Sequence, residues 1–229
     1  DPAEDFECQP DETPERRVTL ERYLIDHHEV TVADYRACVD AGACAEPRWF
    51  YGYWYCNYGR ADRTDHPQNC MEWWHARDYC EWVGKRLPTE AEWEKAARGT
   101  DGRKYPWGDE PRVSCEIAVI DDGRDGCGED HTWPVCSKPE GVGPYGNCDM
   151  IGNTYEWTAD WYDPDYYATA PDVSPTGPAE GEDRVLRGGS WNRQWERARA
   201  SHRVGYDPDE NPYCRGFRCA LTPEDEALR

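Results

Sequence analysis

Phenylalanine is almost missing from this chain: three residues, against 12 tryptophans and 15 tyrosines. Large aromatic positions therefore carry an indole N–H or a phenolic hydroxyl, and each needs a partner when buried. That argues against a plain bundle or sandwich and favours an irregular, loop-rich interior. Basic residues are also few, 26 against 47 acidic ones, giving a formal charge of −21. General nucleic-acid binding is excluded with them, because it needs a cationic footprint that displaces counterions. No apolar run reaches the length of a membrane span, and neither an internal repeat nor a low-complexity tract is present. CxxC and HxxxH spacings are absent, which removes the usual zinc patterns. One absence is local: no cysteine falls between Cys148 and Cys214.

What is present supports one domain spanning residues 1–229. A hydrophobic content of 38% is enough for a core at this length. Twelve cysteines suit an oxidising compartment, and the close pairs Cys38 with Cys44, Cys56 with Cys70, Cys115 with Cys127 and Cys136 with Cys148 read as disulfides. With no signal peptide in the sequence, the chain reads as a mature secreted, periplasmic or cell-surface piece. A solvated acidic surface accounts for most of the carboxylates without any ligand.

Residues 1–20 are polar and acidic, and Val18–Ile25 is the first segment that reads as ordered. Thr31 then caps a helix from Val32 to about Asp40, with Asp34 completing a weak capping box and Gly42 ending it. After a Tyr-, Trp- and Gly-rich loop over 46–69, a second helix runs over about Met71–Val83, its inner side formed by Trp74, Ala76, Cys80 and Val83. Thr89 and Glu92 box the start of a third, which ends near Gly99. From Lys104 onward the pieces YPWG, EIAVI, TWPV, YGNCDMIGN, YEWTADWY, RVLRGGSW and GFRCAL read as short strands and turns, and 163–181 as a surface loop.

Six blocks in order carry a resemblance: YLIDHHEVTVADY (23–35), HPQNCMEWWHARDYCEWVGKRLPTEAEWEKAARG (66–99), YPWGDE (105–110), YGNCDMIGNTYEWTADWY (145–162), RVLRGGSW (184–191) and GFRCA (216–220). Together they resemble the formylglycine-generating enzyme family, also called the sulfatase-modifying-factor family. The resemblance implies a single α+β domain, a variant of the C-type lectin fold with little regular secondary structure. It also implies a bridge between Cys80 and Cys219, which leaves Cys8 and Cys214 as a remaining pair.

The family's ligand pattern for structural calcium falls on Asp149, Gly152, Thr154 and Glu156. Calcium is a hard cation that takes about six to eight oxygens in flexible geometry, and a Gly-containing turn lets carbonyls converge. The alternative is that Asp149 and Glu156 only cap a tight turn. A second calcium site of the family lies where this chain has a cysteine-rich acidic insert, and no ligands can be mapped onto it.

The family's enzyme holds copper(I) on two cysteines a few positions after the Gly-Gly-Ser motif, because copper(I) requires soft thiolates. Here Ser190 and Trp191 are followed by Asn192, Arg193, Gln194, Trp195, Glu196, Arg197 and Ala198, without a thiol. Copper is therefore not expected. Between Arg184 and Arg203 there are six arginines and one acidic residue, Glu196. Arg184, Arg187, Arg199 and Arg218 read as internal ion-pair residues. Trp191, Arg193, Trp195, Arg197 and His202 are the candidates for contact with a protein or anionic ligand, since arginine presents a planar fork suited to oxyanions. His202, a lone histidine, reads more readily as structural than as functional. These residues point to a non-catalytic, calcium-stabilised binding module, the alternative being an oxidoreductase with a different active site.

Overall fold

The computed structural model describes residues 8–47, 54–210 and 213–223. The first seven residues and 48–53 of the aromatic loop lie outside that range. Helix α1, Val32–Asp40, starts at a complete capping box: Asp34 N donates to Thr31 Oγ1 at 3.2 Å and Thr31 N to Asp34 Oδ2 at 3.2 Å. The same device starts α3, Glu90–Arg98, where Thr89 N donates to Glu92 Oε2 at 2.8 Å. Between them α2 covers Trp73–Trp82 and buries Trp73, Ala76, Tyr79 and Cys80. The expected inner side is corrected in part: Trp74 and Val83 are only partly buried, and the Trp74 indole reaches out to Asp209.

A short strand β1, Leu24–Ile25, precedes these helices. Strand β2, Tyr155–Trp161, is the centre of the main sheet, antiparallel to β3, Arg184–Arg187, and parallel to β5, Arg215–Gly216. Strand β4, Arg203–Tyr206, closes the order β4-β3-β2-β5, and β6, Ala220–Leu221, pairs with β1. Val204 and Tyr206 alternate with Arg203 and Gly205, but over only four residues, too short a run to mark β4 in the sequence. The pieces YPWG, EIAVI and TWPV are turns and coil. Ile117–Ile120 is nonetheless buried, because its carbonyls are spent on separate partners: Val119 O accepts from Asn153 N at 2.8 Å and Ile120 O from Cys127 N at 2.9 Å.

The core between the helices and β2 satisfies its many indoles as their chemistry demands. Trp73 Nε1 donates to Thr158 O at 2.7 Å, Trp157 Nε1 to Met71 O at 2.9 Å and Trp93 Nε1 to Glu156 Oε2 at 2.7 Å. Arginines are buried in the same way. Arg203 forks onto Glu90, Arg199 onto Glu12, Arg218 onto Glu156, and Arg187 pairs with Glu94. Arg184 differs from the expected ion pair: its guanidinium lies 3.4 Å from the Trp161 ring centroid and 3.9 Å from that of Trp73. Its Nη1 donates to Ala159 O at 2.6 Å.

Five disulfides form: Cys38–Cys44, Cys56–Cys70, Cys80–Cys219, Cys115–Cys127 and Cys136–Cys148. The sixth expected pair, Cys8 with Cys214, is not bridged. The two sit in different places. Cys8 lines a groove with Glu12 and Arg199, whereas Cys214 is buried next to β5 beside the Ser190 hydroxyl.

Candidate functional site

The Gly-Gly-Ser segment leaves β3 through two left-handed residues, Gly188 at φ +91° and Gly189 at φ +73°. A Cβ on Gly188 would come within 3.0 Å of Met150 O and 3.1 Å of the Trp93 ring, so only glycine permits this approach. The turn is stitched to the 149–156 segment by Gly152 N donating to Gly188 O at 2.9 Å and Trp191 N to Asn153 O at 3.0 Å. Arg193 N donates back to Ser190 O at 2.9 Å, and a short 3-10 turn covers Trp195–Arg197.

The candidate contact residues separate by depth. Trp191 is fully buried and His202 nearly so, and burial holds the His202 imidazole down to about 3, which keeps it neutral. Neither presents itself to a partner. Arg193 is half-buried and Arg197 exposed, while Trp195 packs partly into the cluster of Tyr105 and Ile120 with Arg112 stacked on its ring. Trp191 instead supports a small aromatic platform that sequence reasoning missed. Its ring stacks on Tyr55 at 5.4 Å and packs against Tyr213 at 5.7 Å, and those two half-exposed tyrosines are 4.9 Å apart. Asn69 Nδ2 fixes them from below, donating to Tyr55 O at 2.6 Å and Tyr213 O at 2.7 Å. No periodicity links residues 55 and 213; the fold alone makes them neighbours.

On the other side of the stitched turns lies a buried acidic centre. Asp149 and Asn153 have φ of 53° and 57°, and Gly152 of 82°, so the segment doubles back on itself. Asp149 and Glu156 both act on the Arg218 guanidinium, and Glu29, unanticipated, joins them. Glu29 accepts from Thr154 Oγ1 at 2.6 Å, Thr154 N at 3.0 Å and Asn153 Nδ2 at 2.9 Å. Asp149 Oδ2 accepts from Cys136 N at 2.5 Å. Three carboxylates thus face the single guanidinium of Arg218. Burial first, then the neighbouring carboxylates, pushes the Glu29 carboxyl well above its usual range; burial likewise raises Asp149. Both oxygens of Glu156 are already engaged, Oε2 by Trp93 Nε1 and Arg218 Nε and Oε1 by Arg218 Nη2.

Residues 3–223 match the sulfatase-modifying factor enzyme 1-like domain family. A serine/threonine-protein kinase, pkn1, of Chlamydia caviae is 35% identical over 228 residues, 93% of this chain, but the chain spans only 35% of that kinase. The formylglycine-generating enzyme of Streptomyces coelicolor is 43% identical over 172 residues, covering 69% of the chain and 53% of the enzyme. An inactive C-alpha-formylglycine-generating enzyme 2 of Bos taurus is 36% identical over 174 residues, covering 71% of the chain and 52% of that protein. Among solved structures, PvdO from Pseudomonas aeruginosa superposes with a TM-score of 0.80 at 26% identity, covering 96% of this chain and 88% of that one. By its family match and its fold, this chain belongs to the sulfatase-modifying factor enzyme 1-like, or formylglycine-generating enzyme, family.

Proposed function

We propose that this chain is a non-catalytic, calcium-stabilised binding module of its family that works outside the reducing cytoplasm. The observation that carries the reading is the content of the turn after Ser190, where no thiol occurs and Arg193, Trp195 and Arg197 stand instead. Copper(I) needs a pair of soft thiolates. The thiol beside Ser190, Cys214, is buried, and burial pushes it toward its protonated form, so this donor set does not fit that ion. Calcium fits better: Asp149 and Glu156 supply carboxylate oxygens, and the backbone at Gly152 and Thr154 would complete the set. Bound there, calcium would offset the buried charge that Arg218 alone leaves unmatched.

The half-exposed tyrosines over Trp191, together with Arg193 and Arg197, are the residue types that anchor ligands at protein surfaces. They support a protein or anionic ligand on this face. Five disulfides support an oxidising location, secreted, periplasmic or cell-surface. Among the described residues no helix is long and apolar enough to cross a membrane.

The test is direct. Incubated with copper(I), oxygen and a cysteine-containing sulfatase peptide, the full chain should leave the peptide mass unchanged, and it should retain calcium through dialysis until a chelator removes it. Conversion of the peptide cysteine to formylglycine would overturn the reading in favour of an oxidoreductase.

A further inference from the structure

Tyr155 opens β2, and its side chain is 3% exposed. Its backbone N donates to Cys214 O at 2.9 Å, which places the ring next to that residue, yet its hydroxyl has no hydrogen-bond partner. Buried hydroxyls in folded proteins nearly always have one. Arg197 and Arg193 are the cations acting on this hydroxyl, and Arg197 lies beside it without meeting hydrogen-bond geometry. Arg193 also acts on the neighbouring Cys214 thiol, with the Ser190 hydroxyl alongside.

These two arginines differ from the rest of the local cluster. Arg187, Arg199, Arg203 and Arg218 are each matched to a carboxylate at close range. Arg193 donates to Asn192 O at 3.3 Å and feels Asp125, but among the described residues neither it nor Arg197 forms an ion pair. In a chain of charge −21, two cations without a close carboxylate beside a buried, unmatched hydroxyl form a donor-rich spot. A cation is repelled there. Water would satisfy the hydroxyl but leave the charge. An oxyanion satisfies both, because guanidinium forks and O–H groups all donate to its oxygens. Arg197 is exposed and Arg193 half-buried, so the ligand would enter along the two guanidiniums, the hydroxyl itself being closed to solvent.

We infer that Tyr155, Arg193 and Arg197, with Ser190 at their side, form a subsite for an oxyanion carried by the ligand, a carboxylate, sulfate or phosphate group. The inference rests on the binding-module reading and names the ligand chemistry of that face.

The experiment titrates the full chain, in chloride buffer at constant ionic strength, with sodium sulfate, inorganic phosphate or sodium acetate. Calorimetry and tryptophan fluorescence report binding. Saturable binding of at least one anion is expected, and the preferred one tells a carboxylate from a sulfate or phosphate. Tyr155→Phe should weaken it about tenfold, the scale of one hydrogen bond to a charged group. Without anion, the same variant should melt no lower than the parent, because it removes an unmatched hydroxyl. Arg193→Gln combined with Arg197→Gln should abolish saturation, and Arg197→Lys should restore part of it. Absence of saturable binding for all three anions, or equal affinity in the parent, Tyr155→Phe and the double glutamine variant, would overturn the inference. Formylglycine formation in the peptide assay would sink the binding-module reading independently, so the two failures are told apart.

Discussion

Glu29, Asp149 and Glu156 bring three carboxylates to one guanidinium in the interior, and the raised carboxyls of Glu29 and Asp149 fix a pH dependence. A carboxyl whose folded pKa is raised binds its proton more tightly in the folded state. Its contribution is therefore present at low pH and is lost as pH rises above the unfolded value of about 4. Calcium competes with those protons. Thermal denaturation with and without calcium should show a larger stabilisation by the ion at pH 8 than at pH 5, and Glu29→Gln should shrink that difference. An equal gain at both pH values would place calcium away from this centre. Asp149, Gly152, Thr154 and Glu156 were legible through the family resemblance, whose ligand pattern falls on one turn-forming segment. Glu29 was not: it reaches Thr154 across 125 positions, and nothing in HHEVT marks it as anything but a residue two before a helix cap.

At the scale of elements, the helices obey local rules and the strands do not. Thr31 with Asp34 and Thr89 with Glu92 close capping boxes because the groups that pair are three residues apart, a distance set by the helix itself. Thr89→Ala removes the acceptor for Glu92 N and should lower stability by about 1 kcal/mol, within the usual range for lost caps, read from urea denaturation. A change near zero would show that the Arg86–Glu92 pair holds the helix start without the hydroxyl. The strands were harder to place. Strand β2 alternates apolar Tyr155, Trp157, Ala159 and Trp161 with polar Glu156, Thr158 and Asp160, but it is buried along most of its length, so the polar residues lie inside as well. Strand β4 is recognisable only through its ladder with β3, Leu186 opposite Val204 and Arg187 opposite Arg203.

Across the whole molecule, cross-links and buried ion pairs replace regular layers. Cys80–Cys219 ties α2 to the residue before β6 over a sequence separation of 139. Replacing both cysteines with serine should lower the free energy of unfolding by roughly 3 to 5 kcal/mol, as loop-closure entropy predicts, measurable as a fall in the denaturation midpoint. A loss far below that range would mean that the unfolded chain is already held compact by the other bridges. Glu12 with Arg199 fastens the N-terminal segment to the turn after Trp195–Arg197, so the same arginine-rich stretch that frames the candidate subsite also anchors a distant part of the chain.

The sequence by itself determined the family, the three helices, the disulfides between near neighbours and the absence of a thiol pair after Ser190, because each follows from local order or from residue identity. Tertiary structure decided the rest. It parted Cys8 from Cys214, turned Trp191 and His202 inward, and made Tyr55 and Tyr213 neighbours through Asn69. It also brought Glu29 to Asp149, and Arg193 and Arg197 to the Tyr155 hydroxyl. These are contacts between residues far apart along the chain, and in a loop-rich fold only the packing of the whole determines which polar groups meet and which are left to bind something else.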